Sequence, residues 1–346
     1  NIYSESYNIS FVDPYATEDG VSLGYNIYFR ETDYGEFNVA NYLTNSNGLG
    51  AQFGYPISDI TRLGFSLTYD KTDIDIGTLP AREIYDFVAA EGNLFETLSA
   101  QASWQRVTLN RGLFPTSGSS TVLSLSATIP GSDLNYYRAN IRQRYYRPLS
   151  NNFVFGFQGE LGYLNAYGDT EETPFFQNFY AGGPRSLRGF ESNTLGPRST
   201  DAPCYEFNYE EETCPNLIDT DGDGVLDSPY INPYANTTSR YRDRPIGGNI
   251  KIEGSLQLIF KLPIIEDQRS IRSAFFLDFG NVFSDNCRDY QINCYKPSVD
   301  DLRYSYGVGV TWITGFGPLS LAIAKPSNAG PQERTEEFQF TVGNVF

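Results

Sequence analysis

The sequence predicts an all-β protein, a transmembrane antiparallel β-barrel, on two observations. The first is a repeated period-two alternation of apolar and polar residues, which places each set on its own face of a strand. The second is composition: the chain has 26 Tyr, 25 Phe and 32 Gly, yet its mean hydropathy is only −0.38. A wall with one face toward lipid and one toward water produces both results, because the two faces cancel in the average.

The alternation is clearest in residues 249–262. The second face of this segment is polar except for Ile259, and its small or charged side chains suit a water-filled lumen rather than a dry sandwich core. Segments around residues 21–30, 120–129 and 303–312 repeat the pattern. The apolar face of the first segment carries Ile250, Ile252, Leu256, Leu258, Phe260 and Leu262.

Thirteen segments show strand character, and no segment predicts a long amphipathic helix. Short and long connections alternate, as expected of tight periplasmic turns and large external loops. The long loop 167–248 far exceeds ordinary connections, which predicts a functional or partly disordered segment within one barrel domain, 1–346. Single-chain bacterial barrels have an even number of strands. A count of thirteen strand segments therefore indicates either a miscount or further strands that precede Asn1. The segments are 3–12, 20–31, 47–56, 60–71, 95–110, 118–129, 135–148, 152–166, 249–262, 270–284, 302–314, 317–325 and 335–346.

Charge and cysteine content narrow the partners and the compartment. A net charge of −17 disfavours a nucleic-acid partner, which would require basic patches. Cys204 and Cys214 form one close pair and Cys287 and Cys294 another, which predicts two small disulfide loops made in an oxidising compartment such as the periplasm. The chain contains no His, the usual general base of outer-membrane hydrolases and acyltransferases, so we do not expect an enzyme.

An acidic stretch of the long loop has the spacing of a calcium-binding turn. Asp219, Asp221 and Asp223 alternate, with Asp227 following, as at the start of an oxygen-lined calcium loop. The twelfth position is Tyr230 rather than the glutamate of an EF-hand. Two interpretations stay open, a short calcium turn and a solvated acidic loop tip, and no cofactor is otherwise expected.

Two motifs on different segments predict an ion pair inside the barrel. The long loop contains Arg188-Gly189-Phe190. A later strand contains Phe276 and Gly280 flanking Asp278 in alternation, and parity turns Asp278 toward the lumen. An inward carboxylate and a loop guanidinium favour a bidentate pair that holds the loop inside the barrel.

The last segment has an apolar face made by Phe338, Phe340, Val342 and Phe346. A final strand with an aromatic carboxy-terminal residue is similar to the signal read by the outer-membrane insertion machinery, although a plain aromatic anchor has the same appearance. Gly343 predicts a kink in this strand, since glycine packs poorly and bends readily.

Together the loop motif, the Phe-x-Asp-x-Gly strand and the last strand resemble the Omp85 superfamily, from about Tyr7 to Phe346. The resemblance implies a sixteen-stranded barrel, with its first three strands and its periplasmic POTRA domains preceding this chain. It also implies that the loop arginine pairs with acidic residues on both strands after the loop. Asp278 matches one of them; Gln257 occupies the other position, and Glu253 on the same face is the candidate substitute.

The resemblance further implies an outer-membrane insertase of a Gram-negative bacterium. A client strand would add at a lateral seam between the first and last strands. The implied partners are unfolded outer-membrane proteins, accessory lipoproteins, and outer-membrane lipids with lipopolysaccharide. Two alternatives stay open: a secretion translocator of the two-partner or autotransporter type would share the Arg-Gly-Phe loop, and a passive porin would share only the barrel.

Overall fold

A computed structural model shows one large antiparallel sheet that contains all thirteen predicted strands. Each strand of this sheet pairs with its neighbours in chain order, from β1 (Ser4–Asp13) at one edge to β15 (Phe338–Val342) at the other. The structure describes residues 4–37, 39–40, 42–76, 81–200, 244–262, 270–289, 291, 294–315 and 317–343.

Two further strands, β9 (Gly189–Phe190) and β14 (Thr335–Glu336), form a separate two-stranded sheet. The wall strands are β1 (Ser4–Asp13), β2 (Ser22–Asp33), β3 (Leu43–Ser58), β4 (Thr61–Asp75), β5 (Leu94–Val107), β6 (Gly118–Thr128), β7 (Tyr136–Pro148), β8 (Phe153–Ala166), β10 (Ile250–Phe260), β11 (Ile271–Phe283), β12 (Arg303–Thr314), β13 (Gly317–Pro326) and β15 (Phe338–Val342).

The predicted ends of β3 and β4 were wrong at the long-loop end of the sheet. β3 begins at Leu43 rather than at 47, and β4 continues to Asp75 rather than to 71. Leu43 and Asp75 are register partners, so these polar extensions pair with each other. They carry no apolar alternation, because they lie beyond the part of the wall that presents a lipid-facing surface.

One helix lies where the sequence predicts only a loop, 72–94. α1 (Arg82–Glu91) buries Ile84 and Phe87, which are three residues apart and therefore lie on one face. None of the helices within the described residues is long and apolar enough to span a membrane. The ring of Phe87 is tilted against Phe95 and edge-on to Phe175. α1 and this aromatic cluster, together called the cap below, lie at the end of the sheet that carries the long loops.

The outer face of the wall is apolar, as the alternation predicts. On β1, Tyr7, Ile9 and Phe11 are 66%, 78% and 65% exposed. On β11, Phe275 and Leu277 are exposed, whereas their neighbour Phe276 is buried on the inner face. A continuous exposed band of this kind is stable only against lipid, since water would make its exposure costly.

The lumen differs between its two sides. Beside β2–β5 it contains a cavity of about 440 Å³ lined mostly by hydroxyl and charged side chains, among them Tyr28, Asp70 and Thr72. Beside β8 and β11 the long loop places an apolar cluster in it that includes Phe179, Leu187 and Phe190. The polar lumenal face that the alternation predicts is therefore present beside β2–β5, and the long loop adds an apolar cluster beside β8 and β11. That water fills the lumen stays a prediction.

Candidate functional site

The long loop is held inside the barrel by backbone pairing and by its own apolar side chains. Phe179 N donates to Gly248 O at 2.8 Å, so the two ends of the described loop run side by side. Leu187 and Leu195 are fully buried and pack against Val282 of β11. Removal of these side chains from water stabilises the inward conformation.

Arg188 and Asp278 form a bidentate ion pair at the tip of this loop. Arg188 Nε donates to Asp278 Oδ2 and Nη2 donates to Oδ1, both at 2.7 Å. The backbone N of Arg188 donates to the same carboxylate at 3.2 Å. Arg188 is 5% exposed and Asp278 is fully buried. Parallel charge-assisted hydrogen bonds give this pair a fixed geometry.

Two further side chains contact the guanidinium. The ring of Phe276 lies beneath it, with Cζ of Arg188 3.4 Å from the ring centroid. Ser255 Oγ accepts a hydrogen bond from Arg188 Nη2 at 3.0 Å and another from Gln257 Nε2 at 3.3 Å. Arg188, Asp278, Phe276 and Ser255 are called the clamp below.

The resemblance assigned the second acceptor on the neighbouring strand to Gln257 or Glu253, and this assignment needs correction. The acceptor on β10 is Ser255, which is the register partner of Asp278. Gln257 supports Ser255, and Glu253 accepts from Ser186 Oγ and from Lys251 Nζ at 3.0 Å. Glu253 therefore holds the loop two residues before Arg188. The missed signal was register: Ser255 lies on the lumenal face directly opposite Asp278.

Gly189 allows the loop tip to lie against the wall. Its φ is +90°, and an added Cβ would lie 3.1 Å from Cβ of Ala324 on β13. Phe190 is fully buried in the loop cluster. Glycine is required here both for the left-handed backbone and for the close approach.

The last strand, β15, has the two faces that the sequence predicts. Phe338, Phe340 and Val342 are exposed on the outer face. The strand ends where Gly343 adopts φ +81°, and Gly343 N donates to Pro318 O at 2.7 Å. In the described chain β1 and β15 are the two sheet edges and do not pair with each other. Phe346 lies outside the described residues.

The predicted disulfide between Cys287 and Cys294 is present, and its loop contacts the cap. Arg288 Nη1 lies 2.5 Å from Asp86 Oδ2 of α1, and Nη2 pairs with Glu172 in the long loop. Burial raises the pKa of the nearby Glu83 carboxyl, which accepts hydrogen bonds from Thr200 N at 3.0 and 3.1 Å. The disulfide loop thus joins α1 to the base of the long loop.

Arg288→Ala is expected to loosen this cap while the wall stays intact. Because the guanidinium joins two carboxylates on separate segments, its loss should raise amide exchange in α1 about fivefold. Hydrogen exchange read by mass spectrometry checks this. Lys296→Ala, which removes an exposed cation after the same loop, is the control and should leave α1 unchanged. Equal exchange of α1 in both variants would contradict the role of Arg288.

Other predicted site residues lie outside the described part of the chain. Cys204 and Cys214 are among these undescribed residues, as is the acidic stretch from Asp219 through Asp221 and Asp223 to Asp227. Their disulfide and calcium site stay predictions. Within the described residues, no group of three or more His, Cys, Asp and Glu side chains is placed to hold a metal ion.

Comparison with known proteins matches the whole chain to one family. Residues 1–346 match the Omp85 superfamily domain. The chain is 30% identical to outer membrane protein assembly factor BamA of Neisseria meningitidis serogroup B, over 98% of this chain and 41% of that protein. It is 22% identical to the human sorting and assembly machinery component 50 homologue, over 99% of this chain and 64% of that protein. The chain thus spans about two fifths of the BamA relative's length.

Solved structures give the same result. The crystal structure of Haemophilus ducreyi BamA lacking POTRA domains 1–3 superposes with a TM-score of 0.79 and 28% identity, over 100% of this chain and 63% of that one. CdiB from Escherichia coli superposes with a TM-score of 0.55 and 9% identity, over 97% of this chain and 52% of that one. The second likeness shows the fold alone.

Proposed function

The chain belongs to the Omp85 superfamily and is an outer-membrane β-barrel, and from that premise we propose that it is the barrel of an insertase. The insertase folds other β-barrel proteins into the outer membrane of a Gram-negative bacterium. Its clients are unfolded outer-membrane proteins, and accessory lipoproteins and lipopolysaccharide-containing lipid surround it. The observation that carries the proposal is the clamped loop beside a short, bent last strand.

The proposed mechanism is physical rather than chemical. An edge strand presents unpaired N–H and C=O groups, which template the pairing of an incoming strand. Within the described residues β15 has five register partners on β13, whereas the other edge strand, β1, has ten on β2. Fewer ladder bonds make the β15 edge the easier one to open, so a client hairpin adds there at lower cost. The step needs no cofactor and no catalytic side chain.

Two other functions fit the barrel, a secretion translocator and a passive porin. A translocator passes its client through the lumen, and a porin conducts solutes through it. The apolar loop cluster beside β8 and β11 occupies part of the lumen, which disfavours a passive porin. The 30% identity to BamA of Neisseria meningitidis favours the insertase over a translocator, which would share the loop. The cavity of about 440 Å³ beside β2–β5 is space that either alternative would use.

Rescue of barrel assembly separates these functions. The full-length protein is expressed in cells depleted of their own assembly factor, and folded outer-membrane proteins are counted by their resistance to heat unfolding. An insertase restores them, and the same protein in planar bilayers shows little steady conductance. Steady conductance without rescue would identify a channel. Export of one cognate passenger without rescue would identify a translocator.

Gly343→Ala is expected to slow client assembly roughly fivefold without unfolding the barrel. A side chain at φ +81° is strained by about 1–2 kcal/mol, so alanine favours a straighter and better paired strand end. Assembly kinetics in proteoliposomes measure the effect. Gly92→Ala is the matched control, since Gly92 has φ +92° and equally open surroundings but lies at the end of α1. Equal assembly rates in the two variants would count against a role for the bend.

A further inference from the structure

The lumenal loop contacts the last hairpin as well as the clamp. Gly189 and Phe190 of the loop pair with Glu336 and Thr335 of β14, which only Glu337 separates from β15. Glu191 N donates to the carbonyl of residue 334 at 3.0 Å, extending the same ladder. The loop tip is therefore hydrogen-bonded to the segment that leads into β15.

Two side-chain contacts reinforce this junction on the loop's far side. Arg334 N donates to Thr194 Oγ1 at 2.9 Å, and Arg198 Nη2 donates to Gln332 O at 2.9 Å. Both loop residues are buried, with Thr194 at 2% and Arg198 at 4% exposure. The connection between β13 and β15 is thus fixed from inside the barrel by the loop.

Gln339 makes the contact within β15 itself. Its amide is buried at 1% exposure on the lumenal face, between the outward Phe338 and Phe340. Gln339 Nε2 donates to Phe190 O at 2.8 Å, and its Oε1 accepts from Gly189 N at 3.3 Å. The side chain bonds the N–H of Gly189 and the C=O of Phe190, two consecutive residues of the tip, an arrangement that one amide can make and a shorter or charged side chain cannot.

We infer that Gln339 is a positioning residue. Its amide couples the clamp around Arg188 to β15, so that the loop tip sets the position of this strand. Gly189 directly follows Arg188, whose guanidinium is fixed to β11, so the peptide groups that Gln339 bonds are themselves fixed. Within the described residues β15 has five register partners on β13, and its lumenal bonds are therefore a large share of the described contacts that hold it. The role of Gln339 in client assembly rests on the proposed insertase function. The coupling between the loop and β15 does not depend on that function.

Amide exchange tests the coupling without any client. In full-length protein in phosphatidylethanolamine–phosphatidylglycerol vesicles, Gln339→Ala should raise exchange in β15 and β14 roughly five- to tenfold, with β10 and β11 unchanged. Gln339→Asn, which keeps the amide but shortens its reach, should act in the same direction. Thr341→Ala is the control, because Thr341 lies two residues along the same face and its buried Oγ1 has no hydrogen-bond partner in the described structure.

A double-mutant cycle separates coupling from ordinary loss of packing. Arg188→Lys keeps the charge but removes the bidentate geometry, and it should also raise exchange in β15. Combined with Gln339→Ala, it should raise exchange no further than the larger single effect, since both changes release one connection. Additive effects, or β15 exchange in Gln339→Ala equal to that in Thr341→Ala, would overturn the inference.

Measurement of client assembly tests whether the coupling matters for function. If the insertase function and the coupling are both correct, Gln339→Ala alters the assembly rate and Thr341→Ala leaves it at the wild-type value. A wild-type protein that assembles no client defeats the insertase proposal and leaves the exchange result to decide the coupling. Altered exchange with unchanged assembly would overturn the role of Gln339 in positioning the strand for clients.

Discussion

Arg188→Ala is expected to lower the free energy of unfolding of the barrel by about 3–5 kcal/mol, since the Asp278 carboxylate would stay buried without its partner. Asp278 receives three hydrogen bonds from Arg188, two from the guanidinium and one from the backbone. Truncation also removes the stacking on Phe276, whose ring centroid lies 3.4 Å from the guanidinium carbon. The loop tip should then leave the wall and expose Phe190.

Urea unfolding in detergent or vesicles, followed by heat-modified gel mobility, measures this loss. Arg185→Ala is the control, because Arg185 is an exposed arginine of the same loop. A double variant, Arg188→Met with Asp278→Leu, should recover part of the stability, since no unpaired charge remains buried. Wild-type stability together with wild-type client assembly in Arg188→Ala would contradict the clamp.

The wall could be predicted from sequence because its signal is local. In β11, alternate residues face lipid and lumen, so Phe275 and Leu277 identify the outward face without knowledge of any neighbour. The same parity placed Asp278 inward. Strand ends were harder: the pairing of Leu43 with Asp75 lies in polar sequence whose strand character depends on the partner strand. α1 had helical spacing in Ile84 and Phe87 but is only one short helix inside a long loop.

The partners within the site could not be predicted to the same extent, because they depend on register and on contacts distant in sequence. Ser255 became an acceptor for Arg188 through its pairing with Asp278, and a serine in a strand carries no such signal by itself. Gln339 meets Phe190 across a separation of 149 residues. In the sequence it is one polar position of an alternating strand, and only the inward loop gives it a partner.

Gly280→Ala is expected to destabilise the barrel by about 2–3 kcal/mol, because a methyl group there meets backbone rather than a movable side chain. Its Cβ would lie 2.4 Å from Ile252 O and 2.9 Å from Cα of Glu253. Gly280 and Glu253 are register partners, so relief of this clash requires separation of β10 from β11. That separation would also spread Ser255 from Asp278, the two clamp residues on those strands.

Gly309→Ala is the matched control for this prediction. Gly309 is also a strand glycine, on β12, and its added Cβ would find its nearest atom, Nη1 of Arg188, at an ordinary 3.6 Å. Urea unfolding should show a large loss for the first variant and a loss within about 1 kcal/mol for the second. Equal losses would mean that alanine harms any lumenal glycine alike. A loss confined to Gly280→Ala would mean that the close approach of β10 and β11 is what aligns the clamp acceptors beneath the loop.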